Sequence, residues 1–166
     1  MRDAADFDAF CVATQRRLLA QLFAMTGDRS EAQDCLQEAY ARAWQRWATI
    51  CAYEDPAAWV RTVAWRIAAS RWRRSRVAAS AWRRHGPPPD LAPPDEDTVV
   101  LVQALKRLPD AQRRAVVLHH LGGLSVEEIA QETGAPAGTV KARLSRGRQA
   151  LAALLTAPEA SERNHV

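Results

Sequence analysis

Apolar residues recur along this chain at three- and four-residue spacing and nowhere alternate, so the pattern predicts helices and no strands. Phe7, Phe10, Cys11, Thr14, Leu18, Leu22 and Met25 form the first such face, and Gly27 is placed to stop it. A second helix starts either at Ser30, with Gln33 completing a capping box, or at Asp28 with Glu31. Its apolar face is Ala32, Cys35, Leu36, Ala39, Tyr40, Ala43, Trp44 and Trp47. Its polar face is Glu31, Asp34, Glu38, Arg42 and Gln45, which taken alone reads as solvated surface. Cys11 and Cys35 lie on apolar faces, as small core residues do. Asp55-Pro56 opens a third helix, a cap followed by proline in the first turn. Around that helix Trp59, Val60, Val63, Ala64 and Ile67 cluster on one side, the expected core. Trp65 and Trp72 fall on the opposite side with Arg61 and Arg76, and Arg66 and Arg73 lie at its edge.

The C-terminal half repeats the helical period. Val99, Val102, Leu105 and Leu108 lead to Pro109, and a second run from Ala115 and Val116 through Leu118 to Leu121 stops at Gly122-Gly123. Ser125 and Glu128 then form a capping box, with Val126, Ile129 and Ala130 facing inward. Gly134 sits where a sharp turn between two helices needs positive φ. The helix after it runs from Ala137 to about Leu155. Val140, Leu144, Gly147, Leu151 and Leu154 make its inner face. Ala142, Ser145, Arg146 and Gln149 make its outer face, flanked by Thr139, Lys141 and Arg143, with no acid among them. Cap, turn glycine, inner spacing and basic outer face together predict a helix-turn-helix whose second helix enters a DNA major groove.

Between the halves, residues 87–97 hold five prolines, four acids and no base, so they read as an extended linker of roughly 35 Å at most. The fold class expected is therefore all-α, two small helical domains joined by a Pro-rich acidic linker. The domains are 1–86 and 98–155, the second a helix-turn-helix, with a short tail 156–166.

Charge sharpens this division. The 166 residues carry a formal net charge of only +4. Residues 56–86, however, hold eight arginines and no acid, and residues 98–155 hold eight bases against four acids. Residues 1–55 are acidic, with nine acids against six bases. Two basic blocks separated by an acidic tether suggest two nucleic-acid contacts on one chain. Exposed tryptophans beside arginines suit a single strand, offering flat faces for bases and cations for phosphates. Packing of Trp65 and Trp72 beneath the segment containing Val77 and Trp82 is the alternative. Arginine supplies 21 of the 23 basic residues, as bidentate phosphate contacts favour and as a GC-rich genome would also produce.

Other classes fit poorly. No uncharged apolar run approaches the roughly 18 residues of a membrane span, and the N-terminus carries acids where a signal peptide needs bases, so a cytoplasmic protein without membrane insertion is expected. Three scattered cysteines without a CxxC spacing predict neither a disulfide framework nor a zinc site. No P-loop, HExxH or nucleophile elbow is present, so an enzyme is not expected, nor any cofactor, metal or catalytic residue. A stand-alone DNA-binding regulator would use the same helix-turn-helix. It would need a dimer interface or ligand pocket in the first 85 residues.

Four stretches carry a resemblance to a known family. They are Gln33-Asp34-Cys35-Leu36-Gln37-Glu38-Ala39-Tyr40-Ala41-Arg42-Ala43-Trp44, then Pro56-Ala57-Ala58-Trp59-Val60-Arg61, then Leu108-Pro109-Asp110-Ala111-Gln112-Arg113, and finally Gly123 to Ala130 continuing through Gly138 to Arg148. In this order, over about residues 6–155, the chain resembles the extracytoplasmic-function (ECF) branch of bacterial sigma-70-type sigma factors. The resemblance implies a factor that binds core RNA polymerase and directs promoter-specific initiation. It implies that Asp34, Gln37, Glu38 and Arg42 dock on the clamp helices of the largest polymerase subunit, while the C-terminal domain meets the flap region. It further implies that the third helix, through Arg61, Trp65, Arg66, Trp72, Arg73 and Arg76, reads and melts the −10 element. The −35 element would be read by Thr139, Lys141, Ala142, Arg143, Ser145 and Arg146. An anti-sigma factor is a frequent partner in the family. The chain departs from it where the melting helix often carries Asn and, four residues on, Asp; Arg66 and Ser70 stand there.

Overall fold

In the computed structural model, which describes residues 4–77 and 95–156, every regular element among the described residues is a helix. The chain divides into two compact units at Pro93/Pro94. The expected linker up to residue 94, the segment 78–84 and the tail from 157 lie outside the described residues.

The N-terminal unit consists of α1 (Ala4–Thr26), α2 (Arg29–Gln45), α3 (Trp47–Ile50) and α4 (Pro56–Val77). Of the two possible starts of α2, the earlier is used. Asp28 is the N-cap and accepts a hydrogen bond from the Glu31 amide at 2.9 Å. The Asp55 carboxylate likewise accepts from the Ala58 amide at 3.0 Å, so α4 begins at Pro56 as its sequence predicts. Helices α1, α2 and α4 pack on one another around Leu18, Leu22, Met25, Ala32, Cys35, Leu36, Ala39, Val60 and Ala64, all buried. Each fully buried leucine of this kind contributes roughly 1.5–3 kcal/mol.

Trp47 does not continue α2. The chain breaks at Arg46, and the one-turn α3 folds Trp47 back against Phe7 and Phe10, with ring centroids 5.1 and 4.9 Å apart. Tyr40 joins this aromatic cluster, and its hydroxyl shares a 2.8 Å hydrogen bond with Thr14 Oγ1 of α1.

The C-terminal unit consists of α5 (Glu96–Lys106), α6 (Asp110–His120), α7 (Val126–Thr133) and α8 (Ala137–Thr156). The last residues of the expected linker belong to α5. Asp95 is the N-cap, its carboxylate accepting from the Thr98 amide at 2.7 Å, and Glu96 and Asp97 fill the first turn. Carboxylates there meet the positive end of the helix dipole, which is why an acidic run does not stay extended. Val99, expected in the core, is 41% exposed; Val102, Leu105 and Leu108 carry that face instead. Helices α5, α6 and α7 all contact α8, which supplies Val140, Leu144 and Gly147 to the core.

Candidate nucleic-acid interface

The helix-turn-helix is built by local chemistry. Ser125 Oγ accepts from the Glu128 amide at 3.2 Å, and the Glu128 carboxylate accepts from the Ser125 amide at 2.7 Å, the full capping box. At the other end of α7, Gly134 has φ of 70°, a conformation that costs other residues roughly 1–2 kcal/mol. The chain then turns directly into α8. His119 of α6 braces the approach to α7, its Nδ1 lying 2.8 Å from the Leu124 carbonyl oxygen.

Turning Val140, Leu144 and Gly147 inward presents Thr139, Lys141, Ser145 and Arg146 to solvent. Ala142 and Arg143 are only partly exposed, at the margin of this face. Gln149 is exposed as expected, and Arg148 extends the face beyond the residues expected from sequence. Arg148 and Gln149, with Val126, Lys141, Leu144 and Ser145, line a shallow depression between α7 and α8. Arg148 was legible as a basic residue one step from Gly147, but only the packing of α5, α6 and α7 on α8 leaves it facing outward.

On α4, Arg66, Trp72 and Arg73 are exposed, Trp72 at 44% of its surface, while Trp65 is partly buried. Arg76 has its side chain outside the described residues. Arg61, expected on the exposed face, is instead buried, 2% exposed, and its Nη1 donates to Gln21 Oε1 of α1 at 3.4 Å. The cause is the rotation of α4. Both α1 and α2 pack on it, so the inward side is centred on Ala57, Val60, Arg61, Ala64 and Ala68, and Trp59 and Val63 are left partly exposed. Ser70, where the resembling family often has Asp, is occupied by Arg74, whose Nη2 donates to Ser70 Oγ at 3.2 Å and Nε to its carbonyl oxygen at 3.4 Å.

On α2, Asp34, Gln37 and Arg42 are exposed and Glu38 is partly buried. Glu38 is gripped from two sides. Arg42 Nη2 donates to its Oε1, and Arg71 Nη2 of α4 donates to its Oε2 at 2.7 Å. Burial pushes the Glu38 carboxyl up, but the hydrogen bonds from the two guanidiniums outweigh it and hold the group below the ordinary carboxylate range. Arg71 Nη1 also lies 3.6 Å from Glu31 Oε1, which accepts from the Cys35 thiol at 3.3 Å. Burial, then the neighbouring Glu31, pushes the Cys35 thiol up to about 12, so it remains a neutral donor.

Among the described residues no group of His, Cys, Asp or Glu is arranged to hold a metal, and no helix is long and apolar enough to cross a membrane.

These surfaces define a class, an all-helical protein pairing an aromatic and arginine-bearing helix with a helix-turn-helix. Comparison with known proteins is more specific. The family Sigma-70 region 2 matches residues 11–77, and Sigma-70, region 4 matches residues 98–151. An RNA polymerase sigma-E factor of Streptomyces coelicolor is 32% identical over 148 residues, covering 88% of this chain and 84% of that protein. The ECF RNA polymerase sigma factor SigL of Mycobacterium tuberculosis is 33% identical over 134 residues, 76% of each chain. The solved structure of the sigma factor RpoE in complex with the anti-sigma factor NepR from Bartonella quintana superposes with a TM-score of 0.76. It is 26% identical, covering 93% of this chain and 99% of that one. The chain belongs to the sigma-70 family and, within it, to the ECF branch.

Proposed function

We propose that the chain binds core RNA polymerase through α2, opens the −10 element with α4 and reads the −35 element with α8, directing promoter-specific initiation. The observation that carries this reading is the outward presentation of Arg66, Trp72 and Arg73 on α4 together with an acid-free basic face on α8, each in its own unit. Opening a base step costs a few kcal/mol, and stacking a base on an aromatic side chain returns about 1–3 kcal/mol. Trp72, half-exposed, is suited to that stacking, with Trp65 two turns before it on the same side of α4. Arg66 and Arg73 supply phosphate contacts.

On α8, Lys141, Ser145 and Arg146 point where a recognition helix meets base edges, and Thr139, Ala142 and Arg143 border that strip. Arg148 joins them as a phosphate contact. On α2, Asp34, Gln37, Glu38 and Arg42 form the docking face for the clamp helices of the largest subunit, and the C-terminal unit meets the flap region. The chain acts by binding in the cytoplasm, with the polymerase supplying the chemistry and with no cofactor. An anti-sigma factor is a further partner, as it is for the Bartonella protein.

A competition pull-down tests this. The chain is expected to co-purify with core polymerase and to be displaced by another sigma factor. Failure to bind core, with DNA binding intact, would make it a stand-alone regulator.

A further inference from the structure

The inward stripe of α4 runs Ala57, Val60, Ala64, Ile67 and Ala68, all buried. Beyond Ala68 no described side chain of α4 is buried. The next position on that stripe is Arg71, and its guanidinium spans two carboxylates of α2, Glu38 at 2.7 Å and Glu31 at 3.6 Å. Glu31 is itself held by the buried Cys35 thiol. Past the buried stripe, α4 is thus tied to α2 by an ion pair. Trp72 and Arg73 follow it directly, and a helix turns about 100° per residue. Pinning Arg71 inward therefore dictates that Trp72 and Arg73 point out.

The structure assigns Arg71 as a positioning residue for promoter opening, acting through Glu31 and Glu38 to aim Trp72 and Arg73 at DNA. The assignment rests on the reading of α4 as the strand-opening helix. It also joins two surfaces, because Glu38 belongs to the proposed docking face. Arg71 itself lies among neither the exposed DNA-facing side chains nor the exposed docking residues.

The test uses holoenzyme reconstituted with wild type, Arg71→Ala and Trp72→Ala. It compares initiation on a linear duplex promoter with initiation on the same promoter carrying a pre-opened bubble. Arg71→Ala is expected to keep core affinity within about threefold, since Arg71 lies outside the exposed docking residues. It should lose about tenfold on duplex, the scale of one base stack, and recover on the bubble. Equal loss on both templates, or loss on neither, overturns the assignment. Should Arg71→Ala fail to fold, Glu31→Gln removes one of the carboxylates Arg71 grips. A duplex-selective loss then supports the assignment and unchanged initiation overturns it. If Trp72→Ala initiates normally on duplex, the reading of α4 itself fails and the assignment with it. If Trp72→Ala is impaired while Arg71→Ala is not, only the assignment fails.

Discussion

A Cβ added to Gly147 of α8 would lie 2.6 Å from Val116 Cγ2 of α6, far inside the 3.5–4.0 Å at which carbon atoms pack. The short, branched valine has no flexible end to move aside, so the absence of a side chain at residue 147 is what lets α6 and α8 approach. Gly147→Ala should therefore destabilise the C-terminal unit by about 1–3 kcal/mol, despite the roughly 1 kcal/mol that alanine gains over glycine in a helix. Urea unfolding checks this, and an unchanged or raised midpoint would show that the crossing has room.

Arg61→Ala should act on stability rather than on DNA affinity. Arg61 is buried and bonded to Gln21, so its removal takes a hydrogen bond from a buried amide at a cost of about 0.5–1.5 kcal/mol. At temperatures where both proteins are fully folded, the salt dependence of DNA binding should match wild type. A reduced salt slope would mean that Arg61 leaves its site to touch phosphate.

Arg146 and Lys141 should separate by specificity. Arg146→Ala is expected to cost about 1–3 kcal/mol at the matching −35 sequence and relax preference at one base pair. Lys141→Ala, if it holds phosphate, should weaken all sequences alike and lower the salt slope by about one. Titrations on matched and scrambled duplexes at several salt concentrations distinguish the two patterns.

Acid should weaken the C-terminal unit through His120. Burial, then His119 and Arg148, hold its pKa below the ordinary 6.5. The folded state therefore binds fewer protons than the unfolded chain. Its stability is intact above about 6.5, falls as pH drops from there toward the folded pKa, and levels off below it. The unfolding midpoint should drop between about pH 7.5 and pH 5, and His120→Asn should shrink that drop. An identical drop in the variant would assign the acid sensitivity to other groups.

What could be read from sequence was what short-range chemistry decides. The Ser125–Glu128 box, the Gly134 turn and the Asp55-Pro56 start each depend on residues within four positions, and each forms as expected. Long-range packing was not legible. A helical wheel places Arg61 beside Trp65 equally well whether the core lies on one flank or the other, and only the packing of α1 and α2 on α4 decides it. The tie between Arg71 and Glu38 joins residues 33 positions apart, with no local pattern to announce it. The apolar period of α2 runs through to Trp47, so the break at Arg46 that makes α3 was hidden by the very regularity that identified the helix. At the start of α5, acids read as linker because proline neighbours suggest extension, yet Asp95 caps the helix they begin.

The most direct test of the central claim is run-off transcription from linear duplex DNA by purified core polymerase with this chain as the only initiation factor. Wild type should give discrete transcripts, each starting a fixed distance downstream of paired −35 and −10 elements. Trp72→Ala should bind core normally yet lose transcription on duplex and regain it on a pre-opened promoter. Transcripts absent with wild type, or unaltered on duplex by Trp72→Ala, would contradict the assignment of promoter opening to α4.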